Sequence, residues 1–126
     1  MSELTSLIDD MEIDVEFTGG EPARTDEGWD HHRWTGTLTY GGKTYSTDYR
    51  MGMFLTTPQA DDFVYSVVSD ALSYRNAPDL VEFSREFDYQ DIATAVRAFE
   101  GCKEAYTKLS EVFTDAEFQR LADASH

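Results

Sequence analysis

Hydrophobic and polar positions follow two different periods along this chain. Apolar residues recur three or four positions apart near the N-terminus and through the second half, which is typical of helices packed on one side. Over residues 12–17, 33–40 and 45–51 they alternate with polar residues, as in strands with one buried face. This order, mostly strands first and helices afterwards, predicts an α+β fold. Over residues 2–11 the spacing leaves two alternatives, a short acidic helix or an irregular arm.

The first predicted strand has an acidic outer face. Apolar and acidic residues alternate in the order Glu12, Ile13, Asp14, Val15, Glu16, Phe17. The segment Gly19-Gly20-Glu21-Pro22 is expected to end this strand, with a polar loop continuing to about Asp30.

A β-hairpin is the strongest local prediction. Two alternating runs, over residues 33–40 and 45–51, are joined through Gly41-Gly42. Two glycines suit a type I′ turn, which needs positive φ at both central positions. With the first strand, the hairpin predicts a three-stranded antiparallel sheet. Its aromatic face, with Trp34, Tyr40, Tyr45 and Tyr49, is expected to be core; a base-stacking platform is the alternative.

Three to four helices are predicted after the sheet. The first is expected to begin at Thr57-Pro58 and end at Asn76-Ala77-Pro78, with an apolar stripe of Phe63, Val64, Val67, Val68, Ala71 and Leu72. A short helix then carries Leu80, Phe83 and Phe87. Asp88 is expected to cap a long helix with apolar positions Ile92, Val96, Phe99, Cys102, Tyr106, Leu109 and Phe113. Thr114-Asp115 begins a last turn or two with Phe118 and Leu121.

The length of 126 residues predicts a single domain. Its parts would be an acidic arm and first strand (1–30), a hairpin (31–55) and a helical part (57–123). No stretch has the roughly 20 apolar residues of a membrane helix, so a cytoplasmic protein without membrane contact is expected. Cys102 is the one cysteine, which excludes an internal disulfide, and burial in a helix is its expected state.

The distribution of charge indicates which surface of the protein could bind a partner. The chain has 25 acidic and 10 basic residues, for a net charge of −15. Residues 1–30 alone hold ten acids and one base, Arg24. Such a field repels nucleic acid and attracts basic protein surfaces, so direct binding to nucleic acid is disfavoured.

The sequence contains no motif that predicts catalysis. It lacks a phosphate-binding glycine loop and a nucleophile elbow, and its acids are too numerous for any pair to be diagnostic. His31-His32 lacks further ligands at suitable spacing, and neighbours on a strand point to opposite faces. We therefore expect no enzyme activity, no catalytic residue, no metal and no cofactor.

The clustered carboxylates are the candidate site instead. Carboxylates two residues apart on a strand lie about 6.6–6.8 Å from each other, comparable to successive phosphates of a nucleic-acid strand. A protein surface that binds phosphates with Lys and Arg would also bind these carboxylates. Trp29 is added as an apolar anchor. The partner-binding residues predicted in this way are Asp9, Asp10, Glu12, Asp14, Glu16, Glu21, Asp26, Glu27, Trp29 and Asp30.

A family resemblance adds a biological setting. The chain from Trp34 to Leu121 resembles small proteins, mostly of unknown function, encoded by bacteriophages, prophages and related mobile elements. The matching features are the Trp-led hairpin with Tyr49-Arg50-Met51-Gly52, the helix ending in Ser69-Asp70-Ala71, the segment from Phe83 to Tyr89, the helix with Cys102-Lys103, and the region from Leu109 to Leu121. The chain departs from the family at Asp88, where Gly is usual, and in its acidic N-terminal extension.

The resemblance implies a viral or mobile-element protein. In that setting, small acidic proteins without enzyme activity often inhibit host defence, as anti-CRISPR proteins and DNA-mimicking restriction inhibitors do. The expected partner is thus the basic surface of a nucleic-acid-binding host protein, in the host cytoplasm; the sequence does not indicate an oligomeric state. The alternative is an accessory viral or haloarchaeal protein whose acidity only maintains solubility in high salt.

Overall fold

The computed structural model describes residues 3–24, 30–51, 58–86 and 91–125. It has a three-stranded antiparallel sheet and five helices, which confirms the predicted α+β class and the position of most helices after the sheet. The elements in chain order are α1 (Glu3–Asp10), β1 (Asp14–Arg24), β2 (Asp30–Tyr40), β3 (Lys43–Met51), α2 (Ala60–Asn76), α3 (Leu80–Glu86), α4 (Ile92–Val112) and α5 (Asp115–Ala124).

The chain divides into two compact units, Met1–Val64 and Tyr65–His126. The first contains α1, the sheet and the first turn of α2. The second contains the rest of α2 and the helices that follow it. Helix α2 therefore contributes residues to both units.

The predicted hairpin is confirmed. The strands of the sheet are ordered β1-β2-β3, and Tyr40 pairs with Lys43 across a two-residue turn. Gly41 has φ +57° and Gly42 has φ +81°, so both central positions are left-handed, as a type I′ turn requires.

The first strand differs from its predicted bounds. It begins at Asp14 instead of Glu12, and it continues to Arg24 through the segment expected to end it. The register with β2 shifts between Gly19 and Glu21, so an irregularity of the β-bulge type accommodates the extra residue. The prediction of a break failed because Pro is tolerated on an edge strand, and β1 is an edge.

Aromatic rings fill the inner face of the sheet. Trp34 pairs with Tyr49 across β2 and β3, and Phe17 lies opposite Gly36 on β1 and β2. The ring of Phe63, from the first turn of α2, packs directly on Gly36 and meets the rings of Phe17 and Tyr49 edge-on, with centroids 5.7 and 5.8 Å away. The aromatic face is thus core, as predicted.

Helix α1 resolves the choice left open for residues 2–11. It is helical over Glu3–Asp10 and buries Leu4 and Ile8. The Thr5 hydroxyl donates a hydrogen bond to the Asp61 carboxylate, 3.1 Å away, which ties α1 to the start of α2 within the first unit.

Two helix starts in the second half of the chain differ from prediction. Helix α2 begins at Ala60, after a buried Pro58, and not at Thr57-Pro58; Thr57 itself lies outside the described residues. The N-cap of α4 is Asp91, not Asp88. The Asp91 carboxylate accepts hydrogen bonds from the Thr94 hydroxyl and the Ala93 amide, which lowers its pKa.

The remaining helix ends follow the sequence signals. Helix α2 ends at Asn76, as predicted. Thr114 and Glu117 form a capping box at the start of α5, which is ten residues long and so exceeds the expected turn or two.

The second unit has a helical core with its own aromatic cluster. Tyr74 stacks on Phe99 at 5.6 Å, and Phe83 meets Phe99 edge-on at 5.4 Å. Most predicted apolar positions that the structure describes are buried or half-buried, but Ile92, the first residue of α4, is 77% exposed. The fully or nearly buried apolar residues of this unit are Val67, Val68, Ala71, Ala77, Phe83, Ala95, Ala105, Leu109, Val112, Phe113, Phe118, Leu121 and Ala122.

None of the helices that the structure describes is both long enough and apolar enough to cross a membrane.

Candidate functional site: an acidic corner of the first unit

Five of the predicted partner-binding residues lie within eight positions at the junction of α1 and β1. All five are exposed, and together they are named the acidic corner: Asp9, Asp10, Glu12, Asp14 and Glu16. Of the other predicted residues, Glu21 and Asp30 have backbone in β1 and β2, but their side chains lie outside the described part. Asp26, Glu27 and Trp29 lie outside it entirely.

The turn between α1 and β1 is a Schellman motif with a glutamate in the glycine position. The Ile13 amide donates to the Ile8 carbonyl at 3.0 Å, and the Glu12 amide donates to the Asp9 carbonyl at 3.1 Å. These are the two bonds that define the motif, and Ile8 and Ile13 are both buried. Glu12 has φ +57°, a left-handed conformation that costs a residue with a side chain about 1–2 kcal/mol.

Glu12 therefore does not belong to the strand. The predicted row of three strand carboxylates is wrong, because the chain reverses at Glu12 before β1 begins at Asp14. Asp14 and Glu16 keep the alternate positions on the outer side of β1. The corner is thus made by a helix end, a turn and a strand, and its carboxylates are presented by all three.

Asp9 and Asp10 also occupy an unfavourable place. They are the last two residues of α1, and no basic residue is present in the last turn of this helix. The carbonyl end of a helix carries partial negative charge, so acids there destabilise it by about 0.3–1 kcal/mol each at low salt. Three of the five corner acids thus stand where local energetics disfavour them.

The outer face of the sheet extends the corner with neutral hydroxyls. Asp14 pairs with Thr39 and Glu16 pairs with Thr37, so the two carboxylates stand beside β2 hydroxyls. The Thr37 and Ser46 hydroxyls are hydrogen-bonded to each other at 2.8 Å. Asp48, opposite Thr35, adds a further exposed carboxylate that the sequence pattern did not single out. The residues named the hydroxyl face are Thr18, Thr35, Thr37, Thr39, Thr44 and Ser46.

The corner carboxylates are not neutralised by the side chains that the structure describes. None of the five forms an ion pair with such a side chain, whereas Glu104 in the second unit is 3.0 Å from Lys108. The sequence of the first unit contains thirteen acids and four bases, against twelve and six in the second. The corner can therefore attract cations or basic side chains.

Other reactive groups offer no comparable cluster within the described residues. No three His, Cys, Asp or Glu side chains in the described ranges are arranged to hold a metal ion. Cys102 is half-buried, and burial together with the nearby Asp70 carboxylate raises the pKa of its thiol to about 11. The thiol is therefore protonated at neutral pH and is a poor nucleophile.

Comparisons of this chain with protein-family models, with curated proteins and with solved structures found no match. The chemistry of the acidic corner therefore rests on its own residues.

Proposed function

We propose that the protein works by binding a basic protein surface with its acidic corner, rather than by catalysis. The observation that carries the proposal is the placement of Asp9, Asp10 and Glu12. Two of these acids lie at the negative end of a helix, and the third is in a left-handed turn that favours glycine. Residues that lower stability at exposed positions are typical of functional sites.

The corner suits the side chains that proteins use to hold nucleic acid. Arg and Lys bind carboxylates by charge-assisted hydrogen bonds, and Arg can do so with two parallel bonds. Asp14 and Glu16, about 6.6–6.8 Å apart on one face of β1, offer charges spaced like successive phosphates. The hydroxyl face beside them adds neutral hydrogen-bonding groups.

The proposed partner is a nucleic-acid-binding defence protein of a host cell. On this proposal the chain is a mobile-element or viral inhibitor of a nuclease or CRISPR complex that occupies the partner's nucleic-acid site as a DNA mimic. Glu21, Asp26, Glu27 and Asp30 would widen the charged surface, and Trp29 would be an apolar anchor. The resemblance to phage-encoded proteins supports the setting, and the corner supports the mode of binding.

The test is capture of a host protein by the immobilised chain, followed by two elutions. The proposal predicts release by double-stranded DNA and by salt, because the bound surface would be the partner's own nucleic-acid site. Binding that resists both salt and DNA would contradict it.

A second candidate rests on the distribution of acids outside the corner. The second unit is also acidic, with twelve acids against six bases, and none of the buried residues in the described part is charged. This supports acidity as an adaptation to a high-salt cytoplasm, in a viral or haloarchaeal accessory protein. That candidate predicts an unfolding temperature that rises steadily with molar KCl, in wild type and in a corner variant alike. A thermal melt without that rise would exclude it.

A further inference from the structure

A cavity in the second unit combines opposite charges with an apolar wall. Its volume is about 360 Å³, within the range of small-molecule sites. The charged groups in its lining are Arg75, from the last turn of α2, and Glu86, the last residue of α3. Leu72, Ala77 and Ala122 supply apolar surface.

Arg75 is held in place by neutral contacts. Its guanidinium carbon lies 5.3 Å from the centre of the Phe118 ring, and its Nη1 donates to the Gln119 side-chain oxygen at 2.9 Å. Gln119 is itself fixed, because its amide nitrogen donates to the Asp123 carboxylate at 2.8 Å. An arginine has five N–H donors. Arg75 therefore retains donors for a ligand while its position is set by the helices around it.

The two charges select a kind of ligand. A simple anion would be attracted by Arg75 but opposed by Glu86 and by the net charge of −15. A molecule that carries both a carboxylate and an ammonium group can pair with both Arg75 and Glu86. Because it is neutral overall, the net negative charge of the protein does not repel it. At about 30 Å³ per water, the cavity has room for roughly twelve waters, which is more than enough for a free amino acid with an apolar side chain.

We propose that this cavity binds a small apolar α-amino acid, such as leucine or phenylalanine. Arg75 receives its carboxylate, Glu86 receives its ammonium group, and the side chain lies against Leu72, Ala77 and Ala122. The cavity lies wholly within the second unit, so this proposal is independent of the acidic corner.

The experiment is a titration of the ¹⁵N-labelled full-length chain with L-leucine, followed by NMR. We expect saturable shifts at the amides of Ala77 and Ala122. Two analogues that each lack one charged group, 4-methylpentanoate and isoamylamine, should bind roughly tenfold more weakly or worse. Leucine should lose affinity similarly in Arg75→Gln and Glu86→Gln, whereas Arg97→Gln, an exposed change on α4, should bind as wild type.

Three results would overturn the proposal: no saturable shift at millimolar leucine, equal affinity for leucine and 4-methylpentanoate, or unchanged leucine affinity in both cavity variants. Because Arg75 also packs on Phe118, its replacement can disturb the fold, which the spectrum itself would report. In that case Glu86→Gln and the two analogues decide the outcome on their own.

Discussion

At the scale of single residues, replacing Glu12 should affect the stability of the protein and its binding to a partner in opposite directions. Its left-handed backbone suits glycine, which adopts positive φ without a steric penalty. Glu12→Gly should therefore raise the free energy of unfolding by about 1 kcal/mol and at the same time weaken binding to a basic partner. Urea denaturation measures the first effect. A variant less stable than wild type would show that the Glu12 side chain contributes a stabilising contact.

Gly36 is a steric requirement of the sheet. A Cβ at this position would lie 2.3 Å from the Phe63 ring, so either the ring or the strand would have to move. Gly36→Ala should lower the free energy of unfolding by about 1–3 kcal/mol, the usual cost of overpacking a core.

Gly101 provides the matched control. It is exposed in the middle of α4, and a Cβ at this position would meet no neighbouring atom within 4 Å. Gly101→Ala should stabilise the protein by about 0.5–1 kcal/mol, because alanine is the better helix former. Equal effects at the two glycines in chemical denaturation would refute the packing of Phe63 on Gly36.

The charge of Asp70 acts on the Cys102 thiol, and the pKa of that thiol reports the interaction. Burial, and then the charge of Asp70, raise the pKa of Cys102 from 9.0 to about 11. Asp70→Asn should lower this pKa but leave it above 9.0, because burial remains. The rate of iodoacetamide alkylation across the alkaline range measures the change. Glu100→Gln is the control, since residues two apart on a helix do not face each other, and an equal shift there would contradict the pairing.

The raised pKa of Cys102 also implies that the free energy of unfolding falls at alkaline pH. The unfolded chain releases the Cys102 proton near pH 9.0, whereas the folded chain keeps it until about pH 11. The stabilising contribution of the neutral thiol is therefore complete below pH 9.0 and is lost as the pH rises through 11. Cys102→Ser should reduce the dependence of the unfolding midpoint on pH in this window.

At the scale of elements, the capping box of α5 allows the contribution of a helix cap to stability to be measured. The Thr114 hydroxyl accepts from the Glu117 amide at 3.2 Å, and the Glu117 carboxylate accepts from the Thr114 amide at 2.8 Å. Thr114→Ala should cost about 1 kcal/mol of stability, measured by urea denaturation. Thr107→Ala is a control on an exposed helix position, and a loss of equal size there would show that capping is not the cause.

Local signals explain what the sequence could and could not predict. The hairpin was predictable because two glycines between alternating runs have one favourable geometry. The extension of β1 through Pro22 was not, because it depends on β1 being an edge strand, which is a property of the whole sheet. Asp88 and Asp91 carry the same capping side chain, so sequence alone could not choose between them.

The two candidate sites likewise differ in how far the sequence predicts them. Clustered acids identified the acidic corner, but the left-handed Glu12 became visible only with the backbone. The Arg75 cavity gave no sequence signal, because its lining from α2, α3 and α5 is brought together only by the fold.

At the scale of the whole molecule, the central claim is that position, rather than total charge, determines binding. Two triple variants with the same net charge separate the two. Glu12→Lys, Asp14→Lys and Glu16→Lys reverse charges in the acidic corner. Glu82→Lys, Glu100→Lys and Glu111→Lys reverse the same number at exposed sites of the second unit.

The decisive measurement is the dissociation constant of each triple variant for the captured host protein, at several salt concentrations. We predict that the corner variant loses binding, while the second-unit variant binds within a few-fold of wild type and keeps its steep dependence on salt. Equal losses in the two variants would mean that only the overall charge matters, and would contradict a specific role for the acidic corner.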